Sequence, residues 1–187
     1  MNAYNGKYLN VVIRNNHECV ERINFSGIVG IVAIDKEELL LVEQWREPVK
    51  RVCLELPSGI CGDLCKEDLL DGANRELEEE TGYRAEKLTI LGEFPLTPGM
   101  TNEVMTLILA TDIIKVGAGG GVDNENITIR RFHPLQSHMK LMQLTNREDG
   151  ISRYIDAKVL AGIHIARLYL QNPIASLLGE TFDRNSR

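Results

Sequence analysis

No stretch of this 187-residue chain is apolar for long enough to span a bilayer. Its first ten residues, MNAYNGKYLN, lack the apolar core of a signal peptide. Both absences point to a cytoplasmic protein with no membrane partner. Positive charge is short as well: 21 Lys and Arg against 27 Asp and Glu give a formal net charge of −6. That deficit argues against nonspecific binding to nucleic acid, which needs a basic surface. An anionic substrate would instead need a metal and a few local arginines. Cysteine is sparse, and the four present (Cys19, Cys53, Cys61 and Cys65) are expected to be reduced thiols. Cys61 and Cys65 resemble half of a zinc site, but no second Cys/His pair has matching spacing. His17, His133, His138 and His164 show no ligand spacing either and read as structural or surface groups. Repeats and linkers are missing, and the one low-complexity tract is a run of glycines, so the length suits one domain with a real core.

What the chain does have is concentrated between Leu54 and Tyr83. Leu69, Leu70, Ala73 and Leu77 recur at helical spacing, which predicts an amphipathic helix over residues 67–80 with Gly82 as its C-terminal cap. Four glutamates crowd its last two turns, the end where the helix dipole is negative and cations are preferred. Glu76 lies three and four residues from Glu79 and Glu80, so like charges are neighbours. At roughly 100° per residue Glu76, Glu79 and Glu80 flank the apolar stripe, while Glu78 points away from it. A solvated helix has no reason to hold three repelling carboxylates beside its buried face. A hard divalent cation resolves the conflict, since Mg²⁺ takes oxygen ligands and helps to bind phosphates.

Around this helix the chain reads as strands. Residues 7–14 and 19–24 form a first pair about the turn Asn15-Asn16, and residues 27–34 and 38–43 a second, strongly apolar and therefore central hairpin. Residues 53–56 are a short strand leading into Pro57-Ser58-Gly59. Strands over 87–94 and 103–111 flank the turn-rich Pro95-Leu96-Thr97-Pro98-Gly99-Met100. A flexible, acidic, glycine-rich loop then precedes a strand over 127–132. Helices follow over 136–144 and 156–170, and the polar tail 180–187 is expected to fray. The residues alone give an α+β fold with a mixed or antiparallel core.

The stretch Arg75-Glu76-Leu77-Glu78-Glu79-Glu80-Thr81-Gly82-Tyr83, with Glu67 before it, resembles the signature of the Nudix hydrolase family, G-x5-E-x7-R-E-U-x-E-E-x-G-U, where U is a bulky apolar residue. The departure is upstream: Gly59 stands eight positions before Glu67 rather than six, so the 60–66 loop holds two extra residues. Glu43-Gln44-Trp45-Arg46, Glu55-Leu56-Pro57-Ser58-Gly59, Pro98-Gly99 with Thr101-Asn102-Glu103, Asp123-Asn124-Glu125-Asn126-Ile127 and Ile155-Asp156-Ala157-Lys158 resemble, in the same order, the family's ADP-ribose pyrophosphatase branch. Pro98 fills the position of that branch's marker proline. The resemblance implies a Nudix α/β/α sandwich with a central mixed sheet over residues 27–180, N-terminal antiparallel strands over 1–26 that build a homodimer, and a frayed tail over 181–187.

It also implies roles. Glu76, Glu79 and Glu80 become metal ligands, joined by the backbone carbonyl of Ser58, for Mg²⁺ with Mn²⁺ as a substitute. Such ions would polarise a diphosphate and generate a hydroxide-like water. Glu67 and Arg75 take supporting roles, with Arg75 four residues from Glu79 on the helix. Glu125 is the candidate general base, with Asp123 as its rival, because a glycine-rich loop can bring a carboxylate over a metal site. Arg46 either contacts a phosphate or makes a surface ion pair. Trp45 either stacks on a base or packs in the core. Glu55 either accepts ribose hydroxyls or sits in an edge strand, and Pro98 and Met100 belong to a turn beside the substrate. The expected activity is metal-dependent hydrolysis of a nucleoside diphosphate sugar such as ADP-ribose. The alternatives are a Nudix hydrolase acting on triphosphates or dinucleoside polyphosphates, and a non-catalytic nucleotide-sugar sensor.

Overall fold

The computed structural model describes residues 2–62, 67–122, 125–133 and 153–171. The chain opens with a small antiparallel sheet of three strands: β1 (Asn2–Asn5), β2 (Leu9–Arg14) and β3 (His17–Arg22). Asn15 and Asn16 turn β2 into β3 with φ of 48° and 64°, the left-handed conformation that asparagine tolerates in a tight hairpin. β1 extends the expected pair by one strand.

The main body is a mixed eight-stranded sheet. It comprises β4 (Gly27–Asp35), β5 (Glu38–Arg46), β6 (Arg51–Glu55), β7 (Ser58–Cys61), β8 (Tyr83–Pro95), β9 (Val104–Lys115), β10 (Thr128–Phe132) and β11 (Arg153–Ile155). β4 runs parallel to β9 and antiparallel to β5 and β7, and β11 runs parallel to β6. The register explains how β5 organises the sheet. Leu40 is paired with both Ala33 and Arg131, and Val42 with both Glu55 and Ile129. β4 and β6 therefore take successive halves of one edge of β5, and β10 takes the other edge. β7 fills the place beside β4 that β6 leaves free.

Strand alternation gives this sheet two apolar faces. Val29, Ile31, Ala33, Leu40 and Ile108 pack against Ala73 and Leu77 of the first helix, α1 (Leu69–Thr81). Ile28, Val32, Leu39, Leu41, Leu54 and Leu107 pack against Val159 and Ala166 of the second, α2 (Ala157–Gln171). This is the α/β/α sandwich with a mixed centre that the resemblance implied. β7 and β11, four and three residues long, went unseen in the sequence because neither carries a pattern of its own. The expected helix over 136–144, the tail over 180–187 and residues 63–66 of the lengthened loop lie outside the described residues. No described helix is long and apolar enough to cross a membrane.

The N-terminal sheet rests on the turn between β8 and β9. The Val20 amide donates to the Met100 carbonyl at 2.8 Å, and the Asn102 amide returns a bond to the Val20 carbonyl at 3.3 Å. Arg22 adds a 2.9 Å bond from its amide to Asn102 Oδ1 and an ion pair to Glu103 at 2.6 Å.

Candidate active site

The site grows from the C-terminal half of α1. Asp68 caps the helix start, its Oδ1 accepting from the Leu70 amide at 3.0 Å. Gly82 ends the helix in the left-handed conformation, φ 72°, and its amide bonds back to the Glu78 carbonyl at 2.8 Å. Between the caps Arg75 works as a clamp. It meets Glu67 at 2.9 Å, Glu76 at 2.9 Å and Glu79 at 3.0 Å, and donates to the Ile60 carbonyl at 3.1 Å. Glu67 also accepts from the Gly62 amide at 3.2 Å. Arg75 and Glu67 thus tie the helix to β7, the supporting roles expected of them.

Glu80 is treated differently. Its side chain is buried, and its described partner is the Ser58 amide at 3.0 Å. Burial pushes its pKa up to about 8; the Ser58 bond and Arg46 pull it down, while Glu76 and Glu125 push it further up. Burial likewise raises Glu76 to about 7, against the pull of Arg75 and with help from Glu79 and Glu125. Gly59 leaves the space that the Glu76 carboxylate occupies, and a Cβ at that position would force the carboxylate to move. Glu76, Glu79, Glu80 and Ser58 are thus gathered at one end of α1, and the field of Glu125 reaches both Glu76 and Glu80.

These residues fit a hard divalent cation by chemistry and charge: the donors are all oxygens, and two of the three carboxylates are held in a setting that disfavours their charge. Among the described residues no three Asp, Glu, His or Cys side chains already converge as a ligand set. Arg75 holds Glu76 and Glu79, and Glu80 is turned to Ser58.

The loop after β9 is not the slack segment expected of a glycine run. The Val116 and Gly117 amides bond to the Gly82 carbonyl at 2.8 and 3.0 Å, Gly120 to the Glu80 carbonyl at 2.9 Å and Gly121 to the Glu79 carbonyl at 2.9 Å. Gly119, Gly120 and Gly121 have φ of 70°, 108° and 87°, and a Cβ on Gly119 would strike the Thr81 backbone. Glycine is needed here for its left-handed backbone and, at Gly119, for close approach, and the orphan carbonyls of α1 are satisfied by the loop. The sequence signal was present, since the run falls one strand pair after the helix it caps, but only the fold brings the two together. Glu125 leaves this loop exposed, its carboxylate accepting from the Val122 amide at 3.2 Å. Asp123 lies outside the described residues.

The upstream candidates divide between the two faces of β5. Arg46 shares the α1 face with Leu40, and its charge is felt by Glu80. It is bonded to Glu55 through Nε–Oε1 and Nη2–Oε2, each 2.6 Å. Glu55 is buried in β6, which is flanked by β5 and β11, so the edge-strand alternative does not hold. Alternation turns Trp45 to the opposite face. It is 56% exposed, with Nε1 donating to Glu47 at 2.8 Å, which rules out the core-packing alternative. Pro98 and Met100 lie in the turn that carries the N-terminal sheet; Met100 is exposed, and no described contact joins either residue to the carboxylates.

Sequence reasoning missed one more buried carboxylate, besides Glu80 and Glu55. Glu43 of β5 lies on the α2 face between Arg130 of β10 and Arg153 of β11, each at 2.7 Å. Its signal was parity, since Glu43 follows Leu39 and Leu41 on one buried face.

A NUDIX domain family model matches residues 25–154. The chain is 31% identical over 136 residues to the ADP-ribose pyrophosphatase of Bacillus subtilis, covering 72% of each chain. It is 36% identical over 107 residues to the methanol dehydrogenase activator of Bacillus methanolicus, and there the match spans 56% of each chain, little more than half of that relative's length. A crystal structure of an ADP compounds hydrolase superposes with a TM-score of 0.70 over 91% of each chain at 22% identity, a likeness of fold. With the helix, its carboxylates and the mixed sheet in place, the chain belongs to the NUDIX domain family.

Proposed function

We propose that this protein hydrolyses the diphosphate linkage of a nucleoside diphosphate sugar, ADP-ribose or a close analogue, to a nucleoside monophosphate and a sugar phosphate, with Mg²⁺ held by Glu76, Glu79, Glu80 and the Ser58 carbonyl. The observation that carries this reading is the gathering of Glu76, Glu79 and Glu80 at the end of a NUDIX helix, with Glu80 buried and Glu76 partly buried, a setting that raises them to about 8 and about 7. A site that keeps such groups together is built for cations and for the polyphosphates they accompany. The relative named ADP-ribose pyrophosphatase supports the substrate class.

When bound, the metal supplies Lewis acidity toward the phosphoryl oxygens and an acidified water. The chain's own residues do the rest. Arg75 and Ser58 orient the three carboxylates. Glu125, held by the loop that caps α1, is the general base for the attacking water. Arg46, on the same face as Glu80, presents its guanidinium to a phosphate. The N-terminal sheet serves as the contact of a homodimer, and static light scattering at micromolar concentration checks this by giving twice the 21.0 kDa chain mass.

The decisive experiment is a panel of nucleotide sugars, nucleoside triphosphates and dinucleoside polyphosphates with Mg²⁺, read by coupled phosphatase release. The expected result is a higher kcat/KM for nucleotide sugars as a class than for any triphosphate. A triphosphate hydrolysed more efficiently than every sugar nucleotide overturns the substrate class, and binding of nucleotide sugars without turnover identifies a sensor.

A further inference from the structure

Glu55 is a buried carboxylate that the proposed chemistry does not use. It is 3% exposed, and each of its oxygens accepts from Arg46 at 2.6 Å. A carboxylate in that state is poorly placed to receive ribose hydroxyls, because both oxygens are engaged and the group is shut off from solvent. Its partner differs: the Arg46 side chain is 43% exposed while that of Glu55 is 4% exposed. The pair is therefore polarised, with the acid inside and the outer part of the guanidinium at the surface of the site.

The donor inventory of arginine shows what this leaves. A guanidinium carries five N–H groups in one plane. Glu55 takes one on Nε and one on Nη2. Three remain, two on Nη1 and one on Nη2, and one from each nitrogen forms a second fork of the same geometry, suited to two oxygens of a phosphate. Arg46 need not release Glu55 to bind an anion. Strand alternation puts both Arg46 and Glu55 on the α1 face of the sheet, the face that Leu40 shares with the helix carrying Glu80. β5 and β6 are neighbouring strands, and the pair spans four rungs of their ladder, from Glu55 opposite Val42 to Arg46 opposite Arg51, so the arginine side chain reaches back along the sheet to the acid.

We propose that Glu55 is a positioning residue: it grips the Nε–Nη2 edge of Arg46 so that the Nη1–Nη2 edge is fixed toward a phosphate of the substrate beside Glu80. This rests on the diphosphate reading of the site and deepens it. Holding a long, flexible cation in its binding pose before the ligand arrives removes the ordering cost that would otherwise weaken binding. A plain structural staple between β5 and β6 would use the same bonds, so the test must separate affinity from folding.

Four proteins are compared, wild type, Glu55→Gln, Arg46→Ala and the double variant, on ADP-ribose with Mg²⁺. Glu55→Gln keeps the shape but loses one acceptor and the charge. Expected is a KM raised about tenfold with kcat within twofold, the pattern of an interaction made equally in ground and transition states. In the Arg46→Ala background the same change adds less than twofold, because its effect passes through Arg46. A KM for Glu55→Gln within twofold of wild type, or an equal KM effect with and without Arg46, overturns the proposal. If Glu55→Gln does not fold, as judged by its melting curve, Glu55→Asp replaces it with the same expectations, since the charge is kept and the grip is drawn back by one methylene. If wild type hydrolyses no nucleotide sugar, the substrate reading fails on its own. Calorimetric binding of ADP then decides the role of Glu55, tighter in wild type than in Glu55→Gln if it positions Arg46 and equal if it does not.

Discussion

Two glutamates in this molecule are almost equally hidden, Glu43 at 5% and Glu80 at 4% exposure, and they are handled in opposite ways. Glu43, on the α2 face, has an arginine on each oxygen at 2.7 Å. Glu80, on the α1 face, has one backbone amide at 3.0 Å and the carboxylates of Glu76 and Glu125 within electrostatic reach. A buried carboxylate with its cations supplied by the chain is finished; removing any member leaves a stranded charge. A buried carboxylate with no cation bonded to it and others of its kind nearby is unfinished, since Arg46, the cation that reaches it, is already bonded to Glu55, and it has room for a cation from outside. Burial alone would have grouped the two, and counting the partners separates them.

The contrast is broken most sharply by neutralising each acid in turn. Glu80→Gln, and Glu79→Gln beside it, should lower kcat at saturating Mg²⁺ on the order of 10²–10³-fold, the scale for losing one preorganised electrostatic contact to a transition state. The melting temperature of the chelated protein should hold or rise, because a repelling buried charge has gone. Wild-type kcat in both variants would remove these residues from the metal site.

Glu43→Gln should do the reverse. Turnover per folded molecule stays near wild type, while stability falls by roughly 3–5 kcal/mol, the cost of leaving one partner of a buried pair uncompensated. Urea unfolding measures it. A variant as stable as wild type but catalytically dead would place Glu43 in the chemistry and dissolve the distinction.

The smallest effect is a pH dependence in chelator. Glu76 and Glu80 bind protons more tightly folded than unfolded, since burial raises them to about 7 and about 8 from 4.5. Their contribution is greatest below the unfolded value and is lost as pH rises through the folded ones. The melting temperature should therefore fall between about pH 5 and pH 8 without metal, and the fall should shrink when Mg²⁺ is added. A flat chelated profile would show that these two groups are not held as the structure has them.

The same comparison marks what the sequence could reveal. α1 was legible because its information is local: an apolar stripe, a glycine at the end, and carboxylates on the wrong side of a dipole. The apolar strands β4 and β5 were legible for the same reason. The Glu43 triad was not, since its members come from β5, β10 and β11 and meet only through strand pairing. Arg46 and Trp45 adjoin in sequence and were read together, yet alternation sends them to opposite faces. Glu55 was read either as an acceptor for ribose hydroxyls or as an edge-strand residue because nothing local shows that Arg46, nine residues earlier, already occupies it. Only the pairing of β5 with β6 makes that visible.

The glycine loop offers an instrument. The amide protons of Gly120 and Gly121 sit on the carbonyls of Glu80 and Glu79, the two residues whose side chains are assigned to metal. Isotope exchange at those two amides reports on the last turn of the helix from outside it, at a place where no side chain has been altered. Slower exchange on adding Mg²⁺, with the amides of the N-terminal sheet unchanged, would let occupancy of the centre be followed in the native protein, residue by residue and without substrate.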